Sequence, residues 1–130
     1  MRILILFVAA CGLFAQQNPA VPEFTRESIR PADGKSKLLA PGMVVELYGK
    51  DLAADPWCGQ ERMPKTPYPK EICGVRVLVG GAASELLYVG PIQINLRIPA
   101  TAPKEGSAPF QVCVGKVCSA TVEMKFGASR

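Results

Sequence analysis

Cys58, Cys73, Cys113 and Cys118 are the residues whose type and spacing could do the most chemistry in this chain, as nucleophiles, zinc ligands or cross-links. Fourteen residues separate the first two and four separate the second two. A four-cysteine zinc site draws its ligands as close pairs, about two to four residues apart, which the first gap does not fit. Four cysteines in a small exported chain read instead as a disulfide framework. The two local pairs, Cys58–Cys73 and Cys113–Cys118, are the expected connectivity. Bridged sulfurs leave no thiolate to attack a substrate.

The chain has no histidine. That removes Ser-His-Asp and Cys-His catalysis and every histidine-ligated metal site. Glu46, Asp51 and Asp55 could approach one another, but a glycosidase pair needs a defined separation across a cleft. Three acids around a strand end read as a solvated rim. Gly80-Gly81 lacks the Lys-Ser/Thr and following helix of a phosphate loop, and no calcium-loop spacing is present. The expectation is a non-enzyme with no catalytic residue, no metal and no cofactor.

Binding chemistry is concentrated between Ala53 and Glu71, where Pro56, Pro64, Pro67 and Pro69 accompany Trp57, Tyr68, Glu61, Arg62, Lys65 and Lys70. Four prolines exclude a helix or central strand there. A loop of this length is usually functional or disordered. A Cys58–Cys73 bridge would tie its ends and contribute roughly 3 kcal/mol. Trp57, Arg62 and Tyr68 form the candidate binding group. The plainer role for Trp57 is to cap the fold or pack on the bridge.

The elements that must position this loop read as strands. Twelve prolines and twelve glycines beside many Val, Ile and Leu favour short strands and turns. In Val75–Val79 the valines alternate, and Ile92, Ile94, Leu96 and Ile98 alternate with Gln93, Asn95 and Arg97, one dry face and one wet. Asn95 is expected to bond backbone at a corner. Gly80-Gly81 and Gly90-Pro91 mark turns, so Gly74–Pro99 reads as three consecutive strands. Phe24–Arg30 reads as an edge strand, followed by a turn at Pro31–Gly34. Met43, Val45 and Leu47 form the inner face of the next strand, with Leu52 folding back on the core. A loop over Thr101–Pro109 precedes a closing hairpin. A two-residue turn at Gly115-Lys116 sets Cys113 opposite Cys118 but puts Phe110 and Val112 in phase with Ser119 and Thr121. A β-bulge after Cys118 would bring Ala120, Val122 and Met124 into the buried set. The fold class is therefore all-β: an antiparallel immunoglobulin-like sandwich of about seven strands with a long, proline-rich, disulfide-tied loop.

Residues 1–15, one basic residue and then an apolar run ending in small residues, read as a secretory signal peptide. Val8-Ala9-Ala10-Cys11 is the alternative, a lipobox that would anchor the chain through Cys11. Residues 16–23 are a flexible lead-in, 24–126 the sandwich and 127–130 a tail. No later segment is apolar for long enough to span a bilayer as a helix. The expected location is secreted or periplasmic, or lipid-anchored in the cell envelope. The formal charge of +4 is dispersed, Lys35 and Lys37 being the one tight cluster, which offers nucleic acid no patch.

Pro41-Gly42-Met43-Val44-Val45-Glu46-Leu47-Tyr48-Gly49-Lys50-Asp51-Leu52 resembles the opening motif of an immunoglobulin-like C-terminal domain found in many secreted acidobacterial proteins. Gly74-Val75-Arg76-Val77, Leu86-Leu87-Tyr88-Val89, Gln93-Ile94-Asn95 and Pro99 resemble the rest of that family's signature. The resemblance runs from about Phe24 to Phe126, with gaps in the proline loop, and the layout is more distantly similar to IPT/TIG domains. It departs from the pattern at Gly90-Pro91, where the family carries Ser-Pro. The resemblance implies a sandwich and export, and no catalytic residues. It leaves two roles: a non-catalytic module binding a protein or polysaccharide, or a structural envelope protein.

Overall fold

Side-chain alternation with a period of two is what makes this chain fold in two layers. The valines of Val75–Val79 are buried and the residues between them half-buried; Ile94 and Leu96 are buried while Gln93, Asn95 and Arg97 are not. Each strand thus has one dry face, and stacking two sheets dry face to dry face removes both from water. The computed structural model, which describes residues 20–58 and 67–127, is that all-β antiparallel sandwich.

Among the described residues the strands are β1 (Glu23–Pro31), β2 (Val44–Lys50), β3 (Val75–Val79), β4 (Ala82–Ala83), β5 (Glu85–Val89), β6 (Gln93–Arg97), β7 (Gly106–Val114), β8 (Val117–Cys118) and β9 (Val122–Phe126). One sheet has the order β1-β2-β6-β5. The other has β4-β3-β7, with β8 and β9 both on the far side of β7. This is the immunoglobulin constant-domain order with β4 added at an edge. The largest fully buried side chains, Phe110, Leu47, Leu52, Leu86, Ile94, Leu96 and Ile98, fill the space between the layers with the valines.

The strand count exceeds seven because two expected strands are each split. After the Gly80-Gly81 turn, whose φ angles are 60° and 85°, β4 pairs with β3 through only two residues. The chain then changes sheets. The Ser84 N–H still donates to the Val77 carbonyl at 2.9 Å, yet Glu85 already pairs with Arg97 of the other sheet. Ser84 is fully buried at this crossing, and its hydroxyl has no hydrogen-bond partner among the described residues.

The second split is the bulge. Cys113 stands opposite Cys118, whereas Phe110 stands opposite Val122, so one additional residue lies on the outer side. Ser119 makes this possible. Its hydroxyl accepts the Val112 N–H at 3.0 Å and donates to the Ala120 carbonyl at 2.8 Å. The Ser119 carbonyl, displaced from the ladder, accepts from Gln111 Nε2 at 3.0 Å. Phase is then restored, and Met124 and Phe126 are buried. Ala120, expected among the buried residues, is exposed because the bulge turns it outward. The two cysteines are bridged with Cα atoms 4.0 Å apart, close to the roughly 4.5 Å of a non-hydrogen-bonded pair.

Ile92 is a further correction: it is 69% exposed and lies outside β6. The Gly90 N–H donates to the Gln93 carbonyl at 2.9 Å, so Pro91 and Ile92 are the two corner residues of the β5–β6 hairpin. The expected loop over Thr101–Pro109 is shorter, since β7 begins at Gly106. Pro109 is accommodated in this central strand because it faces the β3 side just where β3 has ended; its carbonyl accepts the Gly80 N–H at 2.9 Å. Both sides of the sandwich are closed. The Pro69 carbonyl accepts the Leu86 N–H on the β5 edge, and Leu39 pairs in parallel with β9 at Phe126.

The two buried serines should behave oppositely in urea unfolding with disulfides intact. Ser119→Ala leaves a buried N–H without its acceptor and is expected to lose about 1–3 kcal/mol. Ser84→Ala removes an unpaired hydroxyl and is expected to be neutral or to gain about 1 kcal/mol. In the β1–β2 connection, the Asp33 carboxylate accepts the Ser36 hydroxyl at 2.7 Å and the Ser36 and Lys35 amides at 3.0 and 2.8 Å. These bonds, the hydroxyl foremost, lower its pKa to about 2. A carboxylate so lowered stabilises the fold above its unfolded pKa of about 3.9 and loses that contribution as pH falls through the folded value. An NMR titration of Asp33 should give a midpoint near 2, and Ser36→Ala should move it upward.

Candidate binding surface of the bridged loop

The loop between β2 and β3 is fixed to the body before it departs. The Gly49 N–H donates to the Ile92 carbonyl at 3.0 Å and the Leu52 N–H to the Pro91 carbonyl at 2.9 Å. Gly49 must be glycine, because a Cβ there would run into the Glu23 backbone carbonyl of β1. Asp51 takes a left-handed φ of 57°, and Leu52 turns back to be fully buried, as its apolar character predicts.

The first limb then tightens. Asp55 accepts the Trp57 N–H on Oδ1 at 2.9 Å and the Cys58 N–H on its carbonyl at 3.3 Å. This turn drives Cys58 into the core, where it is fully buried and bridged to Cys73 with Cα atoms 6.2 Å apart. Trp57, the preceding residue, points the other way and is 59% exposed. At that exposure it is not a buried cap on the sandwich. Cys73 and Gly74, with φ of 53° and 77°, turn the chain between Ile72 and Val75, whose backbones exchange hydrogen bonds of 3.2 and 2.8 Å. The Gly115 N–H of the β7–β8 turn donates to the Gly74 carbonyl at 2.9 Å. The β2–β3, β5–β6 and β7–β8 connections therefore gather at one end of the sandwich.

The second limb, residues 67–71, runs beside β5. It places Tyr68 against the Arg97 guanidinium, 5.9 Å from ring centroid to Cζ. Arg97 also pairs through Nε with Glu85 Oε1 at 3.5 Å and donates from Nη1 to the Gly42 carbonyl at 3.4 Å. The Glu85 pair is two-fifths exposed on each side, so it contributes well under about 1 kcal/mol. Trp57 and Tyr68 thus lie on different limbs and do not form one cluster. Arg62 lies outside the described residues, as do residues 1–19 with Cys11.

Sequence reasoning did not identify the Arg30, Tyr48 and Glu46 group on the outer face of the β1-β2-β6-β5 sheet. Arg30 lies over the Tyr48 ring at 5.8 Å, and Tyr48 donates its hydroxyl to Glu46 Oε1 at 2.9 Å. That bond to a carboxylate, with partial desolvation, raises the Tyr48 pKa above the usual tyrosine value. Asn95 is not at a corner. It sits mid-strand, paired with Glu46 on one side and Tyr88 on the other, and its Oδ1 accepts from Gln93 Nε2 at 2.9 Å. The alternation of Gln93, Asn95 and Arg97 signalled this wet face; its partners on β2 and β5 required the strand order.

The outer face ends at a cleft of about 400 Å³ lined by Lys70, Glu85, Arg97, Ala82, Ala83 and Pro99 among others. Among the described residues no three Cys, Asp or Glu side chains are grouped to hold a metal ion. Cys58, Cys73, Cys113 and Cys118 are all bridged, which rules out the alternative zinc site. The Asp55 carboxylate accepts the Trp57 amide and that of Glu46 the Tyr48 hydroxyl. Among the described residues no helix is long and apolar enough to cross a membrane.

Removing the two bridges separately should separate their effects. In the chain-entropy model Cys58→Ala/Cys73→Ala is expected to cost about 3 kcal/mol and Cys113→Ala/Cys118→Ala about 2 kcal/mol, read from denaturant midpoints. A larger loss from the hairpin bridge would contradict that order. No protein-family model, curated protein or solved structure matches this chain.

Proposed function

We propose that this is an exported, non-catalytic immunoglobulin-like module whose bridged loop binds a protein or a surface glycan. The observation that supports it is Trp57, 59% exposed and adjacent in sequence to a cysteine with no exposure at all. An indole held out by anchored backbone offers a large apolar area and loses little freedom when a partner covers it. Tryptophan in such a position is a typical centre of binding energy. Export agrees with the two disulfides, which form in oxidising compartments, and with the leader expected over residues 1–15. The lipobox reading of Cys11 keeps the same module and adds an anchor in the cell envelope. The acidobacterial resemblance fits both.

Trp57→Ala is expected to weaken binding to the partner recovered by glycan array or pull-down at least about tenfold, a loss of about 1.4 kcal/mol. Undiminished binding by the variant rejects the loop's role, and robust turnover by the purified protein in a hydrolase panel rejects the non-catalytic reading.

A further inference from the structure

We infer that the cleft between the sheet crossing and the Pro99 corner binds a small carboxylate, that of an acidic sugar, with Lys70 as its main charge contact. The cleft measures about 400 Å³, within the range of small-molecule sites. Part of its lining is apolar: Ala82 and Ala83 of β4, with Ile98 and Pro99 where the chain leaves β6. Its walls carry Lys70 and Arg97 against Glu85 alone, a net of one positive charge. Glu85 is already engaged with Arg97 at 3.5 Å, whereas Lys70 is exposed at the rim. That balance suits one anionic group on an otherwise neutral body.

The backbone lining the cleft and Arg97 are fixed before any ligand arrives. The Gly42 N–H donates to the Ile98 carbonyl at 2.8 Å and the Ile98 N–H to the Met43 carbonyl at 2.8 Å. The Ala102 N–H closes the following turn on the Pro99 carbonyl at 3.0 Å. Arg97 is held between Tyr68, Glu85 and the Gly42 carbonyl. A preformed cleft loses little ordering entropy on binding. Lys70 and Tyr68 both belong to the second limb of the bridged loop. The inference therefore deepens the glycan reading of that loop and rests on it.

The test is an NMR titration of the ¹⁵N-labelled protein at constant ionic strength, following the Ala82, Ala83 and Thr101 amides. Sodium D-glucuronate is expected to give saturating shifts and D-glucose none. Lys70→Gln, an exposed change that leaves the fold intact, should weaken the D-glucuronate affinity about tenfold, and raised salt should weaken it in the wild type. N-acetylglycinate and acetate distinguish the source. Tighter saturation by N-acetylglycinate overturns the sugar assignment in favour of a peptide C terminus. Shifts that rise linearly without saturating, or a Lys70→Gln titration identical to wild type, overturn the site itself. Trp57→Ala should leave this titration unchanged, so loss of the Trp57 contact and loss of the cleft are read separately.

Discussion

Ser84 donates its amide to one sheet while the next residue pairs with the other, and this abrupt change of layer constrains much of the molecule. It joins β4 to β5 through a single residue, so that side of the sandwich is closed by covalent chain. It forces a hydroxyl into the apolar interior with no partner among the described residues, at a cost of up to about 1 kcal/mol. It also brings the small side chains Ala82 and Ala83 beside the charged end of β6, which is how a concave site arises on an otherwise flat body.

The opposite side is closed differently. The β1–β2 connection reaches across to β9, where Leu39 bonds backbone at Lys125 and Gly127. With both sides shut, the proposed binding groups fall at the loop end and on the outer face of β1-β2-β6-β5. The bridged loop serves both regions. Its first limb ends in a buried sulfur with an exposed indole beside it, and its second limb covers the β5 edge, sets Tyr68 against Arg97 and brings Lys70 to the cleft. Neither bridge crosses between the sheets: one ties the loop to the start of β3, and the other lies within the β7–β8 hairpin. The layers are held by the core.

Much of this was legible in the residues. Alternation marked Val75–Val79 and Ile94–Ile98 because burial on one face imposes it, and the phase conflict after Cys118 located the bulge. The sheet crossing was not legible. Alanine and serine carry no pattern that distinguishes a continuing strand from one that changes layer. Ile92 misled because its apolar character continued the alternation, while turn geometry at Gly90–Gln93 placed it on the corner. Trp57 had two readings, and only the turn at Asp55 decided that Cys58 goes inward and the indole outward. The cleft was invisible because its walls come from segments far apart in sequence, joined only by strand order.

The first and last strands have a mechanical consequence. β1 begins beside the end of β2, at the loop end, and β9 finishes at the far pole beside the start of β7. The body is thus entered and left at opposite poles, separated by roughly 30 Å for a nine-residue strand at about 3.3 Å per residue. Tension applied through the two flanks pulls along the strands, loading the β1–β2 rungs and the Leu39 clasp in shear, all together instead of one after another. Extension of the body therefore requires many backbone hydrogen bonds to give way at once.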